Sequence, residues 1–319
     1  MPITTHPFNI ADIPQLQHAL ARWIHQAGDC GYCHIGELPH HLYDASPNAL
    51  PVADRILIWE DNTDIIGFAI TLLFDSSFEI YIAPAYRGTE TERTLLKAAI
   101  NRNRELIQHN QRHNLEANID VWGCDSIRAQ HLTELDFGKY RAWTLINERP
   151  LQGRVPLPTL PDGFTIRAAT HDDYVQLVAV RNAGFNITLD AELYRERVLE
   201  MPAFIPEHDI IAIAPNGQIA AFTHIWLDEI NKVGLFEPVG THPGYRRSGL
   251  ARCIMCAGLN IMHDNNMTTA RVGHTITNAA AYHLYQKLGF RSKHITYGFK
   301  ESSHKTAEIR YNVAMETRP

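Results

Sequence analysis

Cysteine is scarce, with five in 319 residues. That is too few for a disulfide scaffold, and the odd count leaves at least one thiol without an intramolecular partner. A reducing, cytoplasmic setting is the expectation. Long apolar runs are missing as well. The longest, Ile65 to Phe74, is about half a membrane span, and the opening Met1 to Pro7 carries neither the basic start nor the apolar stretch of a secretory leader. Positive charge is not in excess: 29 Lys and Arg against 35 Asp and Glu leave a net charge of −6, which offers no global field to draw in nucleic acid or anionic lipid. With 19 Gly, 17 Pro, 45% hydrophobic and 20% charged residues, collagen-like and disordered classes are excluded. Neither a nucleic-acid nor a membrane partner is expected.

Metal-ligand spacing is also wanting. The 18 histidines are scattered without an HExxH pattern. Cys30-Gly-Tyr-Cys33-His34 fits a haem-attachment pattern, and His40 and His41 could suggest zinc, but no second thiol pair lies nearby. These cysteines are read as loop residues with ordinary packing, Cys253 and Cys256 as small core residues of a helix, and no metal is expected.

What is present is a chain long enough for two domains at about 150 residues each. Prolines 150, 156, 158 and 161 space a segment without helical or strand period, read as a linker over 151–162. Before it, Ile13, Leu16, Leu20, Trp23 and Ala27 fall at helical spacing. Strands follow at Arg55 to Glu60, Ile65 to Phe74 and Glu79 to Ile82, then a helix from Glu90 to His109. A strand over Asn118 to Trp122, a helix near Ile127 to Leu135 and a strand over Ala142 to Ile146 complete the first half. After the linker the order returns. A strand at Phe164 to Arg167 leads to a helix opened by Thr170, with Asp173 completing a capping box. Strands at Asp209 to Ala214, Ile219 to Leu227 and Val233 to Val239 precede a helix from Gly249 to His263. A strand at Thr269 to Gly273, a helix at Asn278 to Leu288, and strands near His294 to Phe299 and Glu308 to Val313 close the chain. The expectation is an α/β (α+β) fold used twice.

The most informative stretch is Val239-Gly240-Thr241-His242-Pro243-Gly244-Tyr245-Arg246-Arg247-Ser248-Gly249-Leu250-Ala251. A strand end, a basic small-residue turn and a helix start together favour an anion. Gly249 and Ala251 permit close approach, unpaired N–H groups and the positive helix end face it, and Arg246 and Arg247 add charge.

Arg246-x-x-Gly249-x-Ala251 resembles the acetyl-CoA loop of the GNAT superfamily of N-acetyltransferases. Asn278-Ala-Ala-Ala-Tyr282-His-Leu-Tyr285-Gln-Lys-Leu-Gly289-Phe290 resembles the family's second signature. The match spans 163–319, and the two-domain plan is similar to that of mycothiol synthase. The resemblance implies two tandem domains, each a twisted mixed sheet flanked by helices, with acetyl-CoA as co-substrate entering where the fourth and fifth strands splay. It implies that Val239, Gly240, Thr241, Arg246, Arg247, Ser248, Gly249, Leu250, Ala251, Asn278 and Tyr285 contact the cofactor. Asn278 would bond the pantetheine arm, and Tyr285 would protonate the leaving thiolate. Both lie within about 20° on one helical face, while core packing for Tyr285 and capping for Asn278 are the plainer alternatives.

For the base, many relatives place a Glu where this chain has Leu235, so mycothiol synthesis is not expected. Glu237, two positions on and on the same strand face, is a candidate beside His242 and His274. The expected reaction is direct attack of a primary amine, on a small molecule or peptide, at the thioester. A non-catalytic acyl-CoA sensor or assembly module is the alternative. Segments Phe185 to Thr188 and Leu227 to Asn231 would shape the acceptor pocket, and a monomer or homodimer is expected. In 1–150, Pro84, Tyr86 and Arg87 align with Pro243, Tyr245 and Arg246. Glu90 and Glu92 then replace Gly249 and Ala251, while Asp125 and Leu132 replace Asn278 and Tyr285. That half is expected to keep the fold without the cofactor site.

Overall fold

A computed structural model describes residues 3–43, 50–72, 77–109 and 116–302. The strand expected over Glu308 to Val313 lies outside them. The first half runs β1 (Thr4–His6), α1 (Ile13–Ala27), α2 (Glu37–Leu42), α3 (Val52–Arg55), β2 (Ile56–Asp61), β3 (Asp64–Thr71), β4 (Phe78–Ile82), α4 (Glu90–His109), β5 (Asn118–Trp122), α5 (Ser126–Glu134) and β6 (Phe137–Pro150). The second runs β7 (Thr165–Ala168), α6 (Tyr174–Phe185), α7 (Ala191–Tyr194), β8 (Asp209–Ile213), β9 (Ile219–Asp228), β10 (Val233–Thr241), α8 (Leu250–Asp264), β11 (Thr269–Thr275), α9 (Ala279–Lys287) and β12 (Arg291–Glu301). The helical spacing in α1 is that of a face laid on a core, and Ile13, Leu16, Leu20 and Trp23 are all buried. The Thr170 and Asp173 capping box forms one turn ahead of α6.

Two sheets result, ordered β1-β2-β3-β4 and β5-β12-β6-β11-β10-β9-β8-β7, joined through a parallel bridge between Ser77 and Asn118. β6 lies between β11 and β12, and β12 lies between β5 and β6, so each half places a strand among those of the other. This corrects the short strand expected over 142–146. With partners on both edges, the extended backbone is held from Phe137 to Pro150. The proline-spaced segment is extended and pinned: Val155 N–H donates to Asn260 Oδ1 at 2.7 Å, and Asn260 Nδ2 returns a bond to Val155 at 3.0 Å.

The duplication is visible in the backbone. Single 3-10 turns at Pro84–Tyr86 and Pro243–Tyr245 precede the two long helices. Asp125 and Asn278 cap α5 and α9 in the same way, each accepting from the N–H three residues on. The turns that follow place Asp136 at φ 64° and Gly289 at φ 85°.

One cysteine reading is overturned. Cys30 is joined to Cys124, 94 residues away in sequence, with Cα atoms 6.1 Å apart. Cys33, Cys253 and Cys256 are free and buried. The pairing depends on the loop after α1 meeting the loop after β5, which spacing in the chain does not encode.

Candidate active site

The site begins where two parallel strands part. β10 pairs with β11 only over Val233–Phe236 and Thr269–Val272. Its register on β9 then shifts between Phe236 and Val239, while β11 continues along β6 to Thr275. A gap opens between β10 and β11, bordered by Val239, Gly240 and Thr241 on one side and His274 on the other. His242 N–H bonds Ala220 across to β9 at 2.9 Å. By the alternation of an antiparallel ladder, Gly240 N–H also points to β9, whereas Val239 and Thr241 direct theirs into the gap.

Beyond β10 the chain makes its 3-10 turn and enters α8. Gly249 is the N-cap at φ 86°, with nothing within 4 Å of where a Cβ would stand. The left-handed backbone explains the glycine, and the open space allows close approach to the first helical N–H groups. Arg246 is held against the end of α6, donating from Nη2 to Gly184 O at 3.0 Å. Ser248 Oγ donates to Tyr245 O at 2.5 Å, and Arg247 is exposed at φ 66°. Leu250 is 1% exposed in the core, so only its backbone faces the loop.

The equivalent turn of the first half is closed from within. Glu92 is fully buried and accepts from Gly88 N–H at 2.6 Å. It also receives Arg128 Nε and Nη2 at 3.0 and 2.7 Å. Arg87 turns aside to Asp125 at 2.5 Å. Glu90 is exposed and paired with Arg93, and Leu132 is buried. The carboxylate that belongs to the chain occupies the place where an anion would bind.

On the α9 side, Tyr285 is 6% exposed, packed in the core with Phe290 and with its ring 5.7 Å from that of His274. Burial, aided by Glu237, raises its phenol above the ordinary value. His274 Nδ1–H donates to Thr275 O at 2.8 Å, and its buried Nε2 has no hydrogen-bond partner. His242 accepts from Gly244 N–H at 3.1 Å and caps the 3-10 turn. Asn278 is engaged as the α9 cap.

Phe236 packs into the core under α8, so the strand alternation turns Glu237 to the opposite face. There it borders a cavity of about 560 Å³. Its side chain is 27% exposed, with Oε1 3.5 Å from His40 Nε2. Burial first, then the Glu37 charge, raises its carboxyl to about 7. The same enclosure, with His41 and Arg181 nearby, pushes the His40 imidazole well below its ordinary range. Burial lowers His41 too, but the Glu79 carboxylate at 2.9 Å outweighs it and raises His41 to about 9. Leu235 is buried and carries no group that could act as a base.

His40 comes from α2, in the other half of the chain. A β-carbon on Gly36 would stand 2.1 Å from Trp226, so the absence of a side chain lets that segment lie on β9. His34 Nε2 bonds Val233 O at 3.0 Å and fixes it there. His40, Arg181, Tyr194 and Trp226 all line the cavity, and none was singled out in sequence as a wall. Phe185 and Ile187, from one of the segments read as shaping an acceptor pocket, also line it. Leu227 to Asn231 do not: Asn231 donates to Ala21 O of α1 at 3.0 Å and to Asp228 at 2.7 Å, turning that segment to a structural contact. Among the described residues no group of three or more His, Cys, Asp or Glu could hold a metal ion, and no helix is long and apolar enough to cross a membrane.

The site thus combines a parallel pair that parts beside a glycine-capped helix with a carboxylate that borders a cavity opposite. Residues 176–290 match the acetyltransferase (GNAT) family model, and this match together with the curated relatives supports an N-acetyltransferase. It is 27% identical over 235 residues to the mycothiol acetyltransferase of Tsukamurella paurometabola, covering 69% of this chain and 76% of that one. A mycothiol acetyltransferase of Salinispora tropica is 27% identical over 237 residues, covering 69% and 71%. Among solved structures, a tandem GNAT protein from the clavulanic acid biosynthesis pathway shares the fold at a TM-score of 0.66 and 13% identity, over 94% of this chain and 98% of that chain. A GCN5-related N-acetyltransferase from Sphaerobacter thermophilus does so at 0.60 and 16%, over 94% and 95%. The fold is therefore the tandem, twisted α/β arrangement expected.

Proposed function

We propose that residues 163–319 transfer acetyl from acetyl-CoA to the primary amine of a small molecule, that 1–150 is a GNAT-like half without a cofactor site, and that 151–162 connects them. The observation that carries this reading is the gap between β10 and β11, with an open glycine-capped helix start on one side and Glu237 in a cavity on the other. The volume of about 560 Å³ falls among small-molecule sites. Acetyl-CoA supplies the acetyl group as an activated thioester.

The diphosphate fits the α8 start, where the N–H groups of Gly249, Leu250 and Ala251 and the side chains of Arg246, Arg247 and Ser248 surround the approach. The N–H groups of Val239 and Thr241 are better directed than that of Gly240 to hold the thioester oxygen as it becomes negative. Glu237, ionised above pH about 7, takes a proton from the attacking amine, with neutral His40 3.5 Å away. As the carbon–nitrogen bond forms and the carbon–sulfur bond breaks, the buried Tyr285, protonated at neutral pH, supplies a proton to the leaving thiolate. Asn278 serves as the α9 cap and, near the start of that helix, as a donor to the pantetheine arm.

The relatives' mycothiol activity is not carried over, because Leu235 offers no carboxylate and the cavity walls are largely apolar. Replacing Arg246 by Glu together with Gly249 by Glu is expected to weaken CoA binding at least tenfold, since charge and bulk enter the diphosphate path. Calorimetry on the folded double variant checks it, and unchanged affinity would remove the basis for this assignment. Wild-type protein titrated with CoA is expected to saturate at one molecule per chain, because Glu92 fills the first half's loop. A second equivalent site would show that this carboxylate gives way.

A further inference from the structure

Asp209 of β8 stands opposite His224 of β9. His224 in turn lies against the register shift of β10 that contains Glu237 and Pro238. From Glu237 to Asp209 is thus two inter-strand steps, about 9–10 Å. The wall along that interval is apolar and ring-shaped. Phe204 stacks on His224 with centroids 4.8 Å apart, His224 meets Trp226 at 4.4 Å, and Ile187, Leu189 and Val198 line the same cavity. Its distant end is polar and incompletely satisfied. Behind that end lies the fully buried Asp209, outside the cavity lining, with Oδ2 3.6 Å from Arg181 Nη2 and Oδ1 3.8 Å from His224 Nδ1, and neither oxygen has a hydrogen-bond partner; the Arg181 charge balances its own. Tyr194 is 2% exposed and His224 1% exposed, yet the Tyr194 hydroxyl, both ring nitrogens of His224 and Arg181 Nε have no hydrogen-bond partner. Buried polar groups left this way carry an uncompensated desolvation cost, so a ligand that meets them is favoured over one that is apolar throughout.

We propose that the acceptor is a primary amine carried on an apolar, ring-sized body, with a neutral hydrogen-bonding group such as a phenolic hydroxyl at the other end. The amine lies at Glu237, the ring lies along Phe204 and Trp226, and the hydroxyl meets Tyr194 and His224. A net-neutral Arg181 and Asp209 pair matches a neutral terminus. Amino sugars carry more hydroxyls than Tyr194 and His224 can meet, so the rest would face Phe204, Trp226 and Val198 without partners, and they fit poorly. This rests on the acetyl-transfer reading above: the amine nitrogen gains the acetyl carbon, CoA sulfur loses it, and the amine proton passes to Glu237.

The test compares tyramine, phenethylamine and glucosamine by release of free CoA thiol, with wild-type full-length protein and acetyl-CoA. Expected is kcat/KM in the order tyramine, phenethylamine, glucosamine, with at least tenfold between tyramine and glucosamine. Tyr194→Phe is expected to move the tyramine-to-phenethylamine ratio toward one. Glucosamine used as well as tyramine, or a ratio unmoved in Tyr194→Phe, overturns the acceptor class. If no amine is acetylated, calorimetry with CoA and then tyramine separates the two readings. CoA binding without tyramine binding overturns the acceptor class alone, and tyramine binding without turnover upholds that class while overturning the transfer reaction.

Discussion

Glu237→Gln is expected to lower kcat by roughly 10²- to 10⁴-fold, the usual worth of a general base, while CoA affinity at the α8 loop stays within a few-fold. The amide keeps the size of the carboxyl but has no basic oxygen for the amine proton. The pH profile supplies the decisive reading. Burial, reinforced by Glu37, raises the Glu237 carboxyl to about 7, so the base is protonated and idle below that pH. Activity of the wild type therefore rises as pH increases through about 7, and in Glu237→Gln this limb disappears. Steady-state kinetics from pH 5.5 to 9 checks both, and a variant retaining wild-type turnover and the same limb would transfer the role to another group, with His274 the next candidate by position. The environment comes partly from α2: His40 stands 3.5 Å from the carboxylate, and Glu37 contributes charge. A segment of the first half thus shapes the surroundings of Glu237 in the second.

The other large effect concerns stability. Arg128→Met is expected to destabilise the protein by about 3–5 kcal/mol, because it removes the hydrogen-bonded cation of the buried Glu92 carboxylate and leaves only Arg87, 3.7 Å away, beside it. Arg128 and Glu92 side chains are 4% and 0% exposed, so water cannot replace the lost partner. Glu92→Met together with Arg128→Met should recover most of that loss, since two apolar side chains of similar length remove the charge and its desolvation cost at once. Urea unfolding of the three proteins decides it. A single variant unfolding at the wild-type urea concentration would show that the pair contributes nothing to the fold. The carboxylate takes the loop N–H of Gly88 and so substitutes for a bound anion.

Periodicity placed most elements within a few residues, because helices such as α1 and strands such as β9 bury one face and their pattern is local. Elements without a local pattern were missed. α2 is six residues long, the helical turns from Ala191 to Leu199 follow no strong periodicity, and β1 pairs with a strand 52 to 56 residues on. The loop residues were legible for a different reason: a left-handed glycine, adjacent arginines and a helix start are contiguous in the chain, and their chemistry does not depend on distant partners. Glu237 could be singled out by its distance from Leu235, but its raised carboxyl could not, as enclosure and the charge of Glu37 come from elsewhere.

By itself the sequence determined the duplicated order of elements, the anion-seeking turn before α8, and its replacement by acidic residues before α4, all of which are written in neighbouring residues and governed by short-range sterics and charge. Tertiary structure decided how the halves interlock through β6 and β12, which cysteines meet, and which side chains enclose the acceptor cavity. Strand pairing, a disulfide and a cavity wall each require groups far apart in sequence to arrive within a few ångströms, and that proximity is a property of the packed chain.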